Sequence, residues 1–182
     1  MKDLSLHILD IVHNSVRANA RLIEIIINED PAADRYSLQI TDNGKGIEPE
    51  MLLTVSDAYT TSRTSRKVGL GLPLLRQNAE QAGGGFSIAS QLGQGTQVLA
   101  WFGHKHLDRP PLGDIAGVLV QLFAAFPEIV FIYKHQTTKG DYVCDTREIM
   151  ESLDGTPLHQ SDIRKFVIEM IDENLDEIGA SR

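Results

Sequence analysis

Two periods of alternation between hydrophobic and polar positions run along this chain, and the switches between them mark its elements. Over residues 3–20, Leu6, Leu9, Val12 and Val16, with Ile8 and Ile11, cover most of a helical circumference, which predicts a buried helix. One narrow stripe on it is polar: His7, Asp10, Asn14 and Arg17, at steps of three, four and three that share a face. Such a stripe is either a solvent-facing edge or the wall of a pocket. Residues 21–28 are rich in isoleucine and predict a strand. The run 36–42 alternates strictly and predicts a half-buried partner, antiparallel to it across the loop 29–34. A short helix over 48–53 carries Pro49 in its first turn. A further helix runs to about residue 82 with Leu72, Leu75, Ala79 and Ala82 on its buried face, and Gly83, Gly84 and Gly85 stop it. Residues 86–90 and 96–102 predict a hairpin. After the stiff break Arg109-Pro110-Pro111 come a helix over 112–126, strands over 129–135 and 142–146, and an amphipathic helix over 161–178 whose other face is acidic.

Composition narrows the picture. With 42% hydrophobic residues in 182, the chain can bury a sizeable core as one domain, or one domain with an appendage. No apolar run reaches the roughly 18 residues that would cross a membrane, and the start has no apolar leader region. The single cysteine, Cys144, excludes an internal disulfide and a thiolate zinc cluster, so a reducing cytosol is the expected location. A net charge of −8 argues against nucleic-acid and acidic-membrane partners.

The chemistry concentrates around Thr41-Asp42-Asn43-Gly44-Lys45-Gly46-Ile47. Asp42 shares strand parity with Leu38 and Ile40, which puts a carboxylate at the end of a core-facing row, where an unpaired charge is costly. Gly44 and Gly46 then allow a sharp bend and a close approach of backbone to ligand; an Asp-capped turn would use the same letters. Gly69-Leu70-Gly71-Leu72 opens a helix, and free amides at a helix N-terminus form an anion site. It is neither a Walker loop nor a Rossmann fingerprint. The polar, basic stretch from Ser56 to Lys67 shows no period and is either disordered or a lid. Thr96, by parity with Val98 and Ala100, points to the side that holds Asp42.

Taken in order, Asp10-x-x-x-Asn14 with Ala18, Asp42-x-Gly44-x-Gly46, Gly69-x-Gly71-Leu72 and Gly95-Thr96 resemble the motifs of the GHKL ATPases over about residues 3–103. The first half is similar to the mismatch-repair ATPases, and Lys67 to Phe102 to a histidine kinase catalytic domain. The resemblance implies an α+β Bergerat fold, a two-layer sandwich of mixed sheet and helices, with ATP between the helices and under a lid. It implies Asn14 as the Mg²⁺ ligand, Asp42 as acceptor for the adenine amino group, and Thr96 assisting through water. It further implies that Gly44 and Gly46 let the backbone pass the base, that Gly69 and Gly71 let amides meet the phosphates, and that Ile47, Leu70 and Leu72 belong to the same nucleotide site. Lys67, with Arg63 and Arg66, would contact phosphates from the lid or stand as solvated charges. Asp10 falls where hydrolysing members place a general base, usually a glutamate; one methylene shorter, it is expected to leave hydrolysis slow. His7 and His13 are expected to be structural.

The expected division is an ATP-binding domain over 1–104 and a small C-terminal α/β interaction domain over 105–182. Only two residues precede the first helix, so the dimerising hairpin of a complete histidine kinase is not expected. The leading expectation is a signalling protein kinase module acting on a protein partner, either like the anti-sigma-factor kinases or as the catalytic half of a split histidine kinase. A nucleotide-dependent switch without kinase activity is the alternative, and a slow mismatch-repair-type ATPase a third; an oligomer is compatible with each.

Overall fold

The computed structural model describes residues 3–56 and 71–182. Its elements are α1 (Leu4–Arg17), β1 (Leu22–Asp30), β2 (Arg35–Asp42), α2 (Pro49–Ser56), α3 (Gly71–Gln81), β3 (Gly85–Gln91) and β4 (Gly95–Gly103). They continue as α4 (Ile115–Ala125), β5 (Val130–Gln136), β6 (Asp141–Asp145), α5 (Thr146–Ser152) and α6 (Ser161–Glu177). The six strands form one sheet in the order β3-β4-β2-β1-β5-β6. It is antiparallel except where β5 lies parallel to β1, with Leu22 opposite Val130 and Asn28 opposite Gln136. The fold is the expected α+β sandwich of a mixed sheet and helices.

The period-two rows do what alternation dictates. Ile23, Ile25 and Ile27 of β1, Tyr36, Leu38 and Ile40 of β2, Val98, Ala100 and Phe102 of β4, and Phe131 and Tyr133 of β5 are all buried. They meet the apolar faces of the helices, among them Leu4, Ile8 and Val12 of α1, Leu75 and Ala79 of α3, and Leu119 and Leu122 of α4. Each such side chain contributes about 1.5–3 kcal/mol of transfer free energy, so this single layer of contact carries the fold.

Residues beyond 104 extend the same sheet. The free amides of the first turn of α1 are answered from that region, Leu4 N–H donating to the Pro111 carbonyl and Ser5 N–H to that of Leu112, both at 2.9 Å. Asp3 caps the same end through Leu6 N–H. Several elements differ from the pattern-based expectation: α1 stops at Arg17 rather than 20, and α2 runs on to Ser56 rather than 53. Strand β1 runs on to Asp30, through what reads as the start of a loop. Helix α4 starts at Ile115 rather than 112, because Asp114 caps it through Gly117 N–H. Helix α5 has no counterpart in the pattern. Thr146, the end of the strand expected over 142–146, instead turns the chain into α5 while its hydroxyl accepts from Phe131 N–H on β5.

Candidate functional site

A cavity of about 460 Å³ opens between α1, the end of β2, the turn after it, α3 and the β3–β4 hairpin. Helix α1 crosses the sheet with Asn14, Ser15, Arg17 and Ala18 toward this space, and β2 ends beneath it at Asp42. The Asp42 carboxylate is fixed from two sides: Ser15 Oγ donates to Oδ2 at 2.6 Å and Gly44 N–H donates to Oδ1 at 2.9 Å. Each oxygen keeps a lone pair for a further donor.

The walls around Asp42 are thin by construction. Gly46 has φ +73°, and a side chain there would run into the Gln91 carbonyl, so only glycine lets the turn pass so close to the hairpin. The turn is tied in place by Lys45 N–H donating to the Ala18 carbonyl and Gly93 N–H to that of Lys45, both at 2.8 Å. Asn43 Oδ1 accepts from the amides of Arg21 and Leu22, which closes the start of β1 onto the same turn.

In register, Asp42 lies opposite Thr96. Ser90 Oγ accepts from Ile47 N–H at 2.8 Å and lies 2.9 Å from both the Gly95 carbonyl and Thr96 Oγ1. If Ser90 gives its proton to the carbonyl, Thr96 donates to Ser90 and keeps its lone pairs toward the cavity. The remaining lining is mostly apolar: Ile11, Ile40, Ile47, Met51, Leu72, Ile88, Leu92 and Val98. A planar apolar group with a polar edge directed at Asp42 matches this combination.

Of the residues singled out from sequence, Asn14, Asp42, Gly46, Ile47, Leu72 and Thr96 line the cavity. Gly44 sits beneath it on Asp42, and Gly71 is the first residue of α3. Asp10 is one turn before Asn14 but is not among the lining residues. Its carboxylate lies against Gly71, where any side chain would overlap it, and among the described residues its buried Oδ2 has no hydrogen-bond partner. Lys67, Gly69 and Leu70, with Arg63, Arg66 and the expected lid, lie outside the described residues. Sequence reasoning passed over Ser15, Ser90 and Lys45 as site residues, and kept Arg17 only as part of a polar stripe. Arg17 Nη1 stands 3.4 Å from Asn14 Oδ1. A serine directly after Asn14 on the pocket face was the one signal available for Ser15. His7 is fully buried on α1 and touches Asn78 Nδ2 through Nε2 at 2.9 Å. Burial holds its pKa below the ordinary histidine value, so it is a neutral packing group.

A sheet with helices over one face, a glycine-lined cavity at the end of an Asp-bearing strand, and an Asn-bearing helix above it define the Bergerat class of ATPase domain. The chain belongs to that family: residues 2–106 match the model of the histidine kinase-, DNA gyrase B- and HSP90-like ATPases. A sensor histidine kinase, ZraS, of Salmonella typhi is 30% identical over 95 residues, which are 52% of this chain and 20% of that protein. A putative sensor histidine kinase, NtrY-like, of Rickettsia conorii is 34% identical over 86 residues, 47% of this chain and 14% of that protein. The chain thus spans about a fifth or less of these relatives. Among solved structures, the N-terminal domain of a DNA repair protein superposes with a TM-score of 0.55 at 21% identity, covering 87% of this chain and 55% of that one. The MutL ATPase domain of Aquifex aeolicus, complexed with ADP, gives 0.51 at 13% identity over 93% of this chain and 70% of that one. These two likenesses show the fold.

Proposed function

We propose that this chain binds ATP with Mg²⁺ in the cavity above Asp42 and works in signalling as a protein kinase module acting on a protein partner. The observation that carries the nucleotide reading is the Asp42 carboxylate, held by Ser15 and Gly44 at the floor of an apolar slot. Such an acceptor takes a hydrogen bond from the adenine amino group and repels the carbonyl oxygen that guanine presents there. Arg17 and the amides of the first turn of α3 are the groups on hand for the phosphates. Mg²⁺ fits a site of this composition. Among the described residues no cluster of His, Cys, Asp or Glu could hold a metal by itself. Asn14 would hold it through its amide oxygen, and the ion would supply neutralisation of phosphate charge.

Family membership with sensor kinase relatives supports the kinase reading. A second reading, a nucleotide-dependent switch with little hydrolysis, is favoured by the position of Asp10 against Gly71 rather than on the cavity wall. A cytoplasmic location belongs to the same proposal and rests on the lone cysteine; among the described residues no helix is long and apolar enough to cross a membrane.

Calorimetry with ATP and GTP tests the pocket. ATP should bind more tightly, and Asp42→Asn should weaken it by about 10- to 100-fold, as for loss of one charge-assisted hydrogen bond, while blunting the preference. Equal affinity of the parent protein for both nucleotides would overturn the assignment. Incubating the full chain with radiolabelled ATP and its own cytosol then separates the two readings. A labelled partner supports the kinase, and nucleotide-dependent retention without label supports the switch.

A further inference from the structure

At the opposite end of the sheet from the cavity, β6 pairs with β5 on one side, and among the described residues no strand pairs with its other side. A groove of about 200 Å³ lies beside it, walled by Tyr142 and Cys144 of β6, Ile149 of α5, and Phe166 and Met170 of α6. Two large apolar side chains at this edge stand open to solvent, Phe166 at 60% and Val143 at 53% exposure. Burial pushes the Cys144 thiol up to about 11, so it lines the groove as an apolar group. The polar members of the lining are Asp145, Glu148, Ser152 and Asn174, with no cation among them. Asp145 is matched by Arg147, but Glu148 is exposed and without such a partner in the lining, Asp141 is exposed at the start of the strand, and Glu169 meets Lys165 only at 3.8 Å.

We infer that this edge is a docking site for an extended segment of a partner protein, added as a seventh strand beside β6, with apolar residues at alternate positions and Lys or Arg at its flanks. An unpaired edge supplies a row of backbone donors and acceptors, and the adjoining groove receives every second side chain. Charge decides the occupant. A second copy pairing antiparallel about Val143 would set Asp141 opposite Asp145 twice; with Arg147 on Asp145 each such cluster still carries net negative charge, which is destabilising. Any shift of register leaves much of a five-residue strand unpaired. A partner strand with basic flanks meets Asp141, Glu148 and Glu169 with opposite charge and lays the apolar side chains of its groove face over Phe166; Val143, in register with Lys134 rather than with the buried Tyr133 and His135, faces the other side of the sheet. The inference is independent of the nucleotide reading, since the cavity lies at the other end of the sheet.

The test is selection of a displayed library of random twelve-residue peptides on the immobilised full-length protein, without nucleotide. Each round is counter-selected against the Phe166→Ser variant, whose exposed position spares the core. The expected result is enrichment of sequences with two or three apolar residues at every second position between Lys or Arg. The best of these, fluorescein-labelled, should lose at least about tenfold in affinity on Phe166→Ser. It should also weaken on Glu148→Lys, with nucleotide affinity unchanged in both variants. No enrichment, enrichment of helix-period or acid-flanked sequences, or equal binding to Phe166→Ser would overturn the proposal. So would a dimer in sedimentation that Phe166→Ser dissolves, since it would show a second copy on this edge.

Discussion

Asp42 and Asp10 stand on neighbouring elements and meet different surroundings. Two donors fix Asp42 beneath an open slot, whereas Asp10 is pressed against Gly71 with one oxygen buried and, among the described residues, unpartnered. A general base contributes about 10²–10⁴-fold when it reaches the attacking water. From its place off the cavity wall Asp10 should contribute little, so Asp10→Ala should leave both ATP affinity and the slow basal turnover near their original values. A brisk turnover in the parent that Asp10→Ala abolishes would move the chain to the hydrolysing branch of its family. Asn14 is partly exposed on the cavity wall, and among the described residues its side-chain hydrogen bond is the long one from Arg17. Asn14→Ala should therefore remove the Mg²⁺-dependent part of ATP binding while the melting temperature stays close to that of the parent. Calorimetry with and without Mg²⁺ reads this directly.

At the scale of elements, the approach of α3 to α1 is set by one missing side chain. Gly71 opens α3 directly on the Asp10 carboxylate, while Leu75 and Ala79 carry the same helix into the core. Gly71→Ala must push the two helices apart or drive Asp10 from its rotamer, an overpacking that typically costs about 1–3 kcal/mol. The double variant Gly71→Ala/Asp10→Ala removes the obstacle and should recover most of that loss in denaturant unfolding. Strictly additive effects would show that the contact does not hold the helices at this spacing. The strands show how far local pattern reaches. Strict alternation in 36–42 was enough to place Asp42 on the inner row, and the same parity argument placed Thr96 on that side. Their pairing across β2 and β4 confirms the parity and adds the register, which alternation alone does not supply.

The whole molecule is closed by a buried acid. Glu29 reads from sequence as loop, yet it is 5% exposed and accepts from four groups. His135 Nε2 reaches Oε1 at 2.8 Å and His104 Nε2 reaches Oε2 at 3.1 Å, while Ser181 donates its amide to one oxygen and its hydroxyl to the other. Tyr133 lies 2.8 Å from His135 Nδ1, so the imidazole that donates to Glu29 accepts from the phenol. Burial alone would push the Glu29 pKa up, but the bonds from His135, Ser181 and His104 prevail and hold it at about 2, below the ordinary 4.5. A depressed carboxylate contributes stability that is fully present above the unfolded value. That contribution is lost as pH falls from about 4.5 towards 2. Denaturant titrations at a series of pH values should show the parent losing stability through this window. Glu29→Gln should start lower at neutral pH and fall less steeply; parallel curves would remove Glu29 as the cause. Because Ser181 follows α6, the same measurement reports on the docking of the chain's last helix.

The sequence by itself determined the rows that face the core, most of the helices, and the part of the site carried by short motifs. Asp42, Gly44, Gly46 and Asn14 sit within one strand, one turn and one helix, where local periodicity fixes direction. Tertiary structure decided whatever depends on residues far apart in the chain. The parallel union of β5 with β1 joins segments about a hundred residues apart without a local signature, and so carries the sheet past residue 104. The donors to Glu29 come from 75, 106 and 152 residues away, so no window of sequence contains the site. Asp10 was legible as a pocket-side acid, but its contact with Gly71 depends on where α3 lands. Helix spacing is set by close packing between elements, and packing is a property of the assembled core rather than of any stretch of the chain.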